Sequence, residues 1–336
     1  MGAVSLGDLA QSFLLRRQNV VLKTDMQRLS TELTTGRVTD AATHLSGDIG
    51  PLLAIDSSLS RLKSYATAAN EAALFSGAMQ TALGTIGDLS TDISTTLLAA
   101  GTVGSVSQIT AAGISGHQYF ETAIAAMNTR FADRTVFAGT VTAGRAVIGP
   151  DDILAVLETE IGNSGAVSAS DIQSTVANWF DSPAGYGAVA YRGDTGLSPI
   201  DIAAGEEANL GVTANDPAIR STLKGLAMAA LLDRGVLAGQ PAARQDLARR
   251  AGESLLDSQT ERASLSARLG LIQAQIETAT SRNSAESSTL QIARTGLLSA
   301  DPFETASKLA QTQSQLEKIY AITARMSRLS LLDYIR

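Results

Sequence analysis

The sequence predicts a mainly α protein: a long antiparallel, coiled-coil-like helical bundle built from both chain ends, with a small inserted α+β or β domain. Apolar positions spaced alternately by three and four residues occur near both termini and in two longer segments, as on one face of a helix. Aromatic residues make up only 4% of the chain, so its cores consist largely of alanine and aliphatic side chains, which suits closely packed helices. Alternating apolar runs between turn signals are found in the middle of the chain and favour a small β unit there.

The N-terminal part predicts three helices separated by glycine-containing breaks. The first helix is expected to begin near Ser5 or Asp8. Three glycines and a proline interrupt the pattern over residues 34–51, which are expected to form a loop or short turns. Further helices are expected over 52–98 and about 105–133. The stripe of the first helix consists of Leu15, Asn19, Leu22, Met26, Leu29 and Leu33.

The middle of the chain predicts short elements. A short helix is expected at 172–181, and Asp151 with Asp152 is interpreted as a solvated turn. The glycine-containing stretch 193–196 (GDTG) and the stretch 204–207 (AGEE) are two turn signals. They predict a small β unit over 185–213.

The C-terminal part predicts three more helices with clear starts. Asp216 followed by Pro217 indicates an N-cap and a first helical turn, opening a helix to about 235. A long helix is expected over 242–297. Asp301, Pro302 and Glu304 then form a capping-box pattern that opens the last helix. The stripe of this last helix consists of Leu309, Thr312, Leu316, Ile319, Thr323, Met326 and Ser330.

The two halves mirror each other, and the most economical arrangement pairs the first helix with the last. The helix over 52–98 would then lie along the helix over 242–297. This predicts a terminal-helix domain from 1–40 and 300–336, and a long-helix domain from 41–140 and 216–299. Residues 141–215 would form the inserted, solvent-facing domain with β hairpins.

The terminal stripes contain many polar or small residues, and two interpretations follow. One is an ordinary coiled coil within the chain. The other is that the two terminal helices do not form a stable pair alone and gain their burial from other copies or other subunits, because a single helix of this quality is marginal in water. The second interpretation predicts a subunit interface formed by Leu15, Leu22, Met26, Leu29, Leu33, Leu309, Leu316, Ile319, Met326, Leu331 and Leu332.

Composition argues against several classes of function. The net charge of −7 argues against binding of nucleic acid, which requires a basic surface. The absence of cysteine excludes disulfide bonds and thiolate chemistry. The sequence has no apolar run long enough to insert into a membrane. His44 and His117 have no metal-ligand spacing around them, and no nucleophile, base and orienting group can be assembled. We therefore expect a structural protein, with no catalytic residues, metal or cofactor.

Four stretches resemble the flagellin superfamily, the axial proteins of the bacterial flagellum. Residues 29–42 (LSTELTTGRVTDAA) are similar to the family's first helix and the break after it, and residues 306–335 resemble its C-terminal helix. Residues 131–142 (FADRTVFAGTVT) and 191–218 (from YRGDTG to NDPA) are similar to the hook-associated members. The resemblance covers roughly 1–145 and 185–336.

The resemblance implies a structural subunit that assembles as a ring and joins the hook to the filament. Its expected partners are further copies, neighbouring axial proteins (another junction protein and filament flagellin) and the flagellar type III export apparatus. A cytoplasmic export chaperone is also implied, with Leu316, Ile319, Tyr320 and Met326 as candidate contacts. The protein would be extracellular in the flagellum and cytoplasmic before export. A divergent filament flagellin or another secreted helical interaction protein are the alternatives.

Overall fold

The computed structural model describes the backbone of residues 6–141 and 143–334, and within those ranges the side chains of residues 10–326. The chain divides into two compact units: unit 1 comprises residues 1–62 and 285–336, and unit 2 comprises 63–284. Two long helices, α3 (Gly50–Val103) and α9 (Pro241–Leu297), contribute residues to both units. Across the described residues, no helix is long and apolar enough to cross a membrane. The predicted fold class is confirmed: the protein is mainly α, and long helices from both chain ends pair antiparallel.

Unit 1 is built from both ends of the chain. Helix α1 (Leu6–Thr35) packs along α10 (Pro302–Tyr334), as the matching stripes predicted. Asp301 caps α10, since its Oδ1 accepts hydrogen bonds from the backbone N–H groups of Phe303 (2.8 Å) and Glu304 (2.9 Å). The Glu304 side chain forms an ion pair with Lys308 at 2.6 Å. The predicted start of the last helix is therefore confirmed.

The two breaks of unit 1 are hydrogen-bonded to each other. The N–H of Val38 donates to the carbonyl of Leu298 (2.9 Å), and the N–H of Ala300 donates to the carbonyl of Gly36 (3.0 Å). Gly36 has a φ of +67°, a backbone conformation that favours glycine. The first break also contains the short helix α2 (Ala41–His44). These bonds bring the end of α1 and the start of α10 together, so the two helices run antiparallel.

The main hydrophobic core lies in unit 2. Helices α4 (Val106–Met127) and α8 (Pro217–Asp233) pack closely, and Gly116 makes this approach possible. A Cβ atom at Gly116 would lie only 2.6 Å from the Cβ of Ala229. The N-cap of α8 is Asp216, which accepts from the N–H of Ala218 at 3.0 Å, as predicted.

The inserted region of unit 2 contains more helix than the sequence analysis predicted. Its aromatic cluster is formed by Trp179, Phe180 and Tyr186, with ring centroids 5.0 Å apart for Trp179 and Phe180 and 5.2 Å for Phe180 and Tyr186. Its helices are α5 (Pro150–Ser164), α6 (Ala169–Asp181) and α7 (Tyr186–Val189), and its strands β3 (Ile200–Ala203) and β4 (Glu206–Ala208) pair antiparallel. Just before this region, β1 (Arg130–Phe131) and β2 (Arg134–Thr135) form another antiparallel pair.

Two local predictions in this region are wrong. Asp151 and Asp152 are not in a solvated turn but in the first turn of α5, where Asp151 forms an ion pair with Arg234 at 3.3 Å. The turn signal at 193–196 does not connect two paired strands. Instead, the N–H of Asp194 donates to the carbonyl of Ala138 at 3.1 Å, so this stretch bonds to the segment after β2. The second turn signal, around Gly205, does join β3 and β4.

Candidate assembly surface

The predicted terminal stripes form the seam between α1 and α10 within the chain. On α10, Leu316 is 8% exposed and Ile319 is 9% exposed. Thr312, one turn before Leu316, is also buried. On α1, Leu29 is buried. The predicted interface residues that are buried or half-buried are Leu15, Leu22, Met26, Leu29, Leu309, Leu316, Ile319 and Met326. We refer to these residues as the terminal seam.

Among the predicted interface residues with described side chains, Leu33 lies outside this seam. Leu33 is exposed near the end of α1, one turn after the buried Leu29. The side chains of Leu331 and Leu332 lie outside the described residues. The predicted stripe therefore contacts α10 over most, but not all, of its length.

The four candidate chaperone contacts do not share one environment. Leu316 and Ile319 are buried in the terminal seam, and Met326 is half-buried. Tyr320 is 46% exposed, and the Nζ of Lys23 lies 5.9 Å from the centroid of its ring, a cation–π geometry. A partner could reach Tyr320 in the folded chain, whereas Leu316 and Ile319 become accessible only when α10 separates from α1.

A second apolar face on α1, which the sequence analysis missed, is exposed to solvent. Phe13 is 67% exposed and Val20 is 64% exposed, and Leu14 and Val21 are exposed beside them. The two pairs are each seven residues apart, so they repeat on the same side of the helix, away from the seam. The signal was present in the sequence: FLL at 13–15 and VVL at 20–22 place more apolar residues than one helix face can bury. We refer to Phe13, Leu14, Val20 and Val21 as the outer α1 face.

A shallow groove of about 590 Å³ runs beside this face, between α1 and α10. Leu14, Val21 and Leu22 line it from α1, and Gln315 and Ile319 line it from α10. The charged residues of its lining are Arg17 and Lys318, one from each helix. The groove is thus apolar at its floor and positively charged at its edges, with no carboxylate among these lining residues.

The two histidines lie in different surroundings. His117 on α4 places Nδ1 2.7 Å from Oδ2 of Asp233, which comes from the end of α8 and not from a neighbouring position in the sequence. His44 is exposed in α2. Across the described residues, no group of histidine, aspartate and glutamate side chains has a geometry that could hold a metal ion. The contact of His117 links α4 to α8 within the core unit.

Comparison with known proteins identifies the C-terminal part of the chain. Residues 255–335 match the family model of the bacterial flagellin C-terminal helical region. A solved structure of a protein from Vibrio parahaemolyticus, provisionally assigned as a flagellar hook-associated protein, aligns with a TM-score of 0.41 at 13% identity. That alignment covers 71% of this chain and 95% of the other, and its TM-score is too low to support a shared fold. Comparison with curated proteins gave no match.

The matched region comprises most of α9 (from residue 255 onward) and α10, and thus one side of the terminal seam. The chain is thus mainly helical, and its C-terminal region is similar to the C-terminal helical region of bacterial flagellins. The match supports the resemblance of the C-terminal stretch to the flagellin superfamily.

Proposed function

We propose that the chain is a structural subunit of the bacterial flagellum that joins the hook to the filament, assembled as a ring at the hook-filament junction. The observation that carries the proposal is the match of residues 255–335 to the flagellin C-terminal helical region. This region includes α10, the helix that pairs with α1. The outer α1 face supports assembly, because four large apolar side chains exposed on one helix are typical of a surface that another protein covers.

The terminal seam and the outer α1 face have different roles in this proposal. The seam holds α1 and α10 together, and the pair then presents its outer faces to neighbouring subunits. In the assembled state, the terminal domain (1–40 and 300–336) lines the inner tube and the long-helix domain (41–140 and 216–299) surrounds it. The inserted domain (141–215) faces solvent.

The proposed role also determines partners and location. The subunit contacts further copies and the neighbouring axial proteins, and it lies outside the cell in the flagellum after export by the type III apparatus. A cytoplasmic chaperone that binds α10 before export would cover Leu316 and Ile319, the residues that α1 covers in the folded chain. Chaperone binding and formation of the terminal seam are therefore mutually exclusive. The role requires no catalysis, cofactor or nucleic acid.

A filament subunit is the second candidate, since the matched family model describes flagellins in general. Deletion of the gene separates the two roles when cells are viewed by electron microscopy and the medium is assayed for filament protein. A junction subunit predicts hooks without filaments and flagellin released into the medium. Loss of filaments with no flagellin in the medium would instead identify the filament subunit. Normal flagella in the deletion strain would contradict both. Restoring the wild-type gene is the control.

A further inference from the structure

Four glycines on the two long helices of unit 2 are not required by helix packing. A Cβ atom added at any of them would have no heavy atom of the described residues within 4 Å. At Gly101 and Gly252 of the same helices, a Cβ atom would lie 2.5 and 2.8 Å from an atom of the other helix. The four glycines are Gly77, Gly84 and Gly87 on α3 and Gly270 on α9. Glycine weakens a helix interior, so these positions lower helix stability without allowing a closer approach.

The four glycines lie at one level of the pair formed by α3 and α9, and we refer to them as the glycine level. The two helices run antiparallel in unit 2, where Leu98 of α3 lies beside Gly252 of α9. Gly270 follows Gly252 by 18 residues. It therefore lies opposite the stretch 18 residues before Leu98, which is the stretch between Gly77 and Gly84. These two glycines are seven residues apart and thus lie on the same side of α3.

The glycine level faces open space on one side and a packed core on the other. Ala73 and Gln273, one helical turn from Gly77 and Gly270, line a groove of about 640 Å³ between α3 and α9. The other side of α3 at this level is buried in the core of unit 2. Its buried residues are Met79, Leu83 and Ile86. A bend that narrows or widens the groove therefore meets no side chain at the glycines, while the core side stays packed.

Threonine side chains weaken the same stretch of α3. The hydroxyl of Thr81 donates to the carbonyl of Gly77 at 2.9 Å, and the hydroxyl of Thr91 donates to the carbonyl of Gly87 at 2.9 Å. A hydroxyl bonded to the carbonyl four residues earlier weakens and bends a helix. Glycine is itself a common site of helix kinks. Two independent features thus favour bending at this level.

The number of packed helices also changes at the glycine level. The hydroxyl of Tyr119 on α4 donates to Oδ2 of Asp92 on α3 at 2.5 Å, and α4 ends eight residues later, at the level of the glycines. Helix α8 begins beside Arg268, whose Nη2 lies 3.4 Å from Oδ2 of Asp216. Beyond this level the pair contacts short strands instead, since Nδ2 of Asn283 donates to a carbonyl of β3 at 2.7 Å. The glycines therefore join a four-helix segment to a two-helix segment.

We propose that the glycine level is a flexure, at which α3 and α9 bend together so that the groove between them narrows or widens. The four-helix segment (α3, α4, α8 and α9) and the two-helix segment each keep their packing while the angle between them changes. The inference concerns the single chain and goes beyond the proposed function, with which it shares no observation.

Double electron–electron resonance between two spin labels tests the flexure, and the chain contains no cysteine that would compete for the label. Asn70→Cys and Thr95→Cys place exposed labels on the groove side of α3, on either side of the glycine level and about 38 Å apart along the helix. Ala242→Cys and Ala267→Cys are the matched pair, with the same spacing of 25 residues on α9 but within the four-helix segment. We expect the distance distribution of the first pair to be at least twice as wide as that of the second.

Replacement of the glycines tests their part in the bend. A variant that carries alanine at all four positions should narrow the distribution of the first label pair to that of the second, because alanine stiffens both helices and meets no neighbouring atom. The changes are Gly77→Ala, Gly84→Ala, Gly87→Ala and Gly270→Ala. Gly296→Ala is the control, since this glycine of α9 also has no heavy atom within 4 Å but lies away from the glycine level, and should leave the width unchanged.

Either of two results would overturn the flexure. One is an equal width for the two label pairs in the parent chain. The other is a width of the first pair that the four alanines leave unchanged, in a variant whose circular dichroism shows full helix content. Both results would leave the proposed function as it stands, because the measurement uses the purified single chain.

Discussion

Glycine residues determine how closely the long helices approach each other in unit 2. A Cβ atom at Gly101 of α3 would lie 2.5 Å from the backbone nitrogen of Arg249 on α9, and one at Gly252 would lie 2.8 Å from Cγ of Leu98. Gly84, also on α3, has no heavy atom within 4 Å of the corresponding position. The same residue type is therefore required by packing at one position of α3 and not at another.

Gly101→Ala and Gly84→Ala should change stability in opposite directions. The first forces two backbones apart and should lower the free energy of unfolding by about 1–3 kcal/mol. The second removes helix-interior glycine without a clash and should raise it by about 0.5–1 kcal/mol. Denaturant unfolding of both variants is the measurement. An unchanged or increased stability for Gly101→Ala would contradict the close approach of α3 and α9.

Arg262 is a charged residue that is buried in the core of unit 2. Arg262 on α9 is 8% exposed, and its Nη1 donates to the hydroxyls of Ser258 (2.8 Å) and Thr222 (3.4 Å). Burial lowers the pKa of the Arg262 guanidinium. Among the described side chains, none forms an ion pair with it. A cation removed from water without a counter-charge destabilises the fold.

Arg262→Met should therefore stabilise the protein by about 1–3 kcal/mol. The two hydroxyls keep acceptors after the change, because Thr222 also donates to the carbonyl of Ala218 and Ser258 to that of Leu255. Calorimetric or denaturant unfolding measures the effect. Arg262→Ala is the comparison, since it removes the charge but leaves a cavity. A clear loss of stability in Arg262→Met would show that the guanidinium contributes favourable contacts.

At the scale of elements, helix starts and stripes could be predicted, because their signals are local. Asp216 and Asp301 both cap helices where the sequence indicated. Helix α5 was missed, although Pro150 at its first turn and the buried Leu157 and Ile161 follow the usual pattern. Gly144 and Gly149 before the helix and Gly162 within it obscured the pattern.

The wrong prediction at residues 193–196 and the missed outer α1 face arise from tertiary contacts, which local sequence signals do not report. The 193–196 stretch bonds to Ala138, far away in the sequence, and no local signal could show this. The stripes predicted which residues of α1 and α10 are apolar together, but not whether they are covered by their own chain or by another. Burial of Leu316 and exposure of Phe13 depend on the tertiary pairing of the two helices.

The pairing of α1 and α10 depends on a thin seam, and a charge within it should separate the helices. Leu316→Asp places a carboxylate at a buried position and should destabilise the pair by about 2–4 kcal/mol. We expect faster amide hydrogen exchange in α1 and α10, measured by mass spectrometry, with unit 2 unchanged. Ser314→Asp, exposed on the same helix, is the control and should not alter exchange. Equal exchange in the two variants would contradict the seam.

At the scale of the whole molecule, the two units differ in how much apolar surface they bury. The main core cluster comes entirely from residues of unit 2, whereas unit 1 relies on the terminal seam and the bonds between its two breaks. Regions with few buried apolar contacts unfold at lower free energy than the core. A subunit with this difference can keep its core folded while its terminal helices exchange partners.

Unit 1 should therefore unfold at a lower guanidinium concentration than unit 2. Far-UV circular dichroism reports all helices, whereas Trp179, the single tryptophan, lies in the core of unit 2. We expect the dichroism signal to fall at a lower denaturant concentration than the one at which tryptophan fluorescence changes. Superimposable transitions would show that the chain unfolds as one cooperative unit.

The proposed location of the protein in the flagellum can be tested by direct labelling. Isolated flagella are labelled with gold-conjugated antibody raised against residues 150–181 of the inserted region, and the deletion strain is the control. We expect a single narrow band of gold where the hook meets the filament. Gold along the whole filament would identify a filament subunit, and absence of gold from flagella of cells that produce the protein would contradict the account.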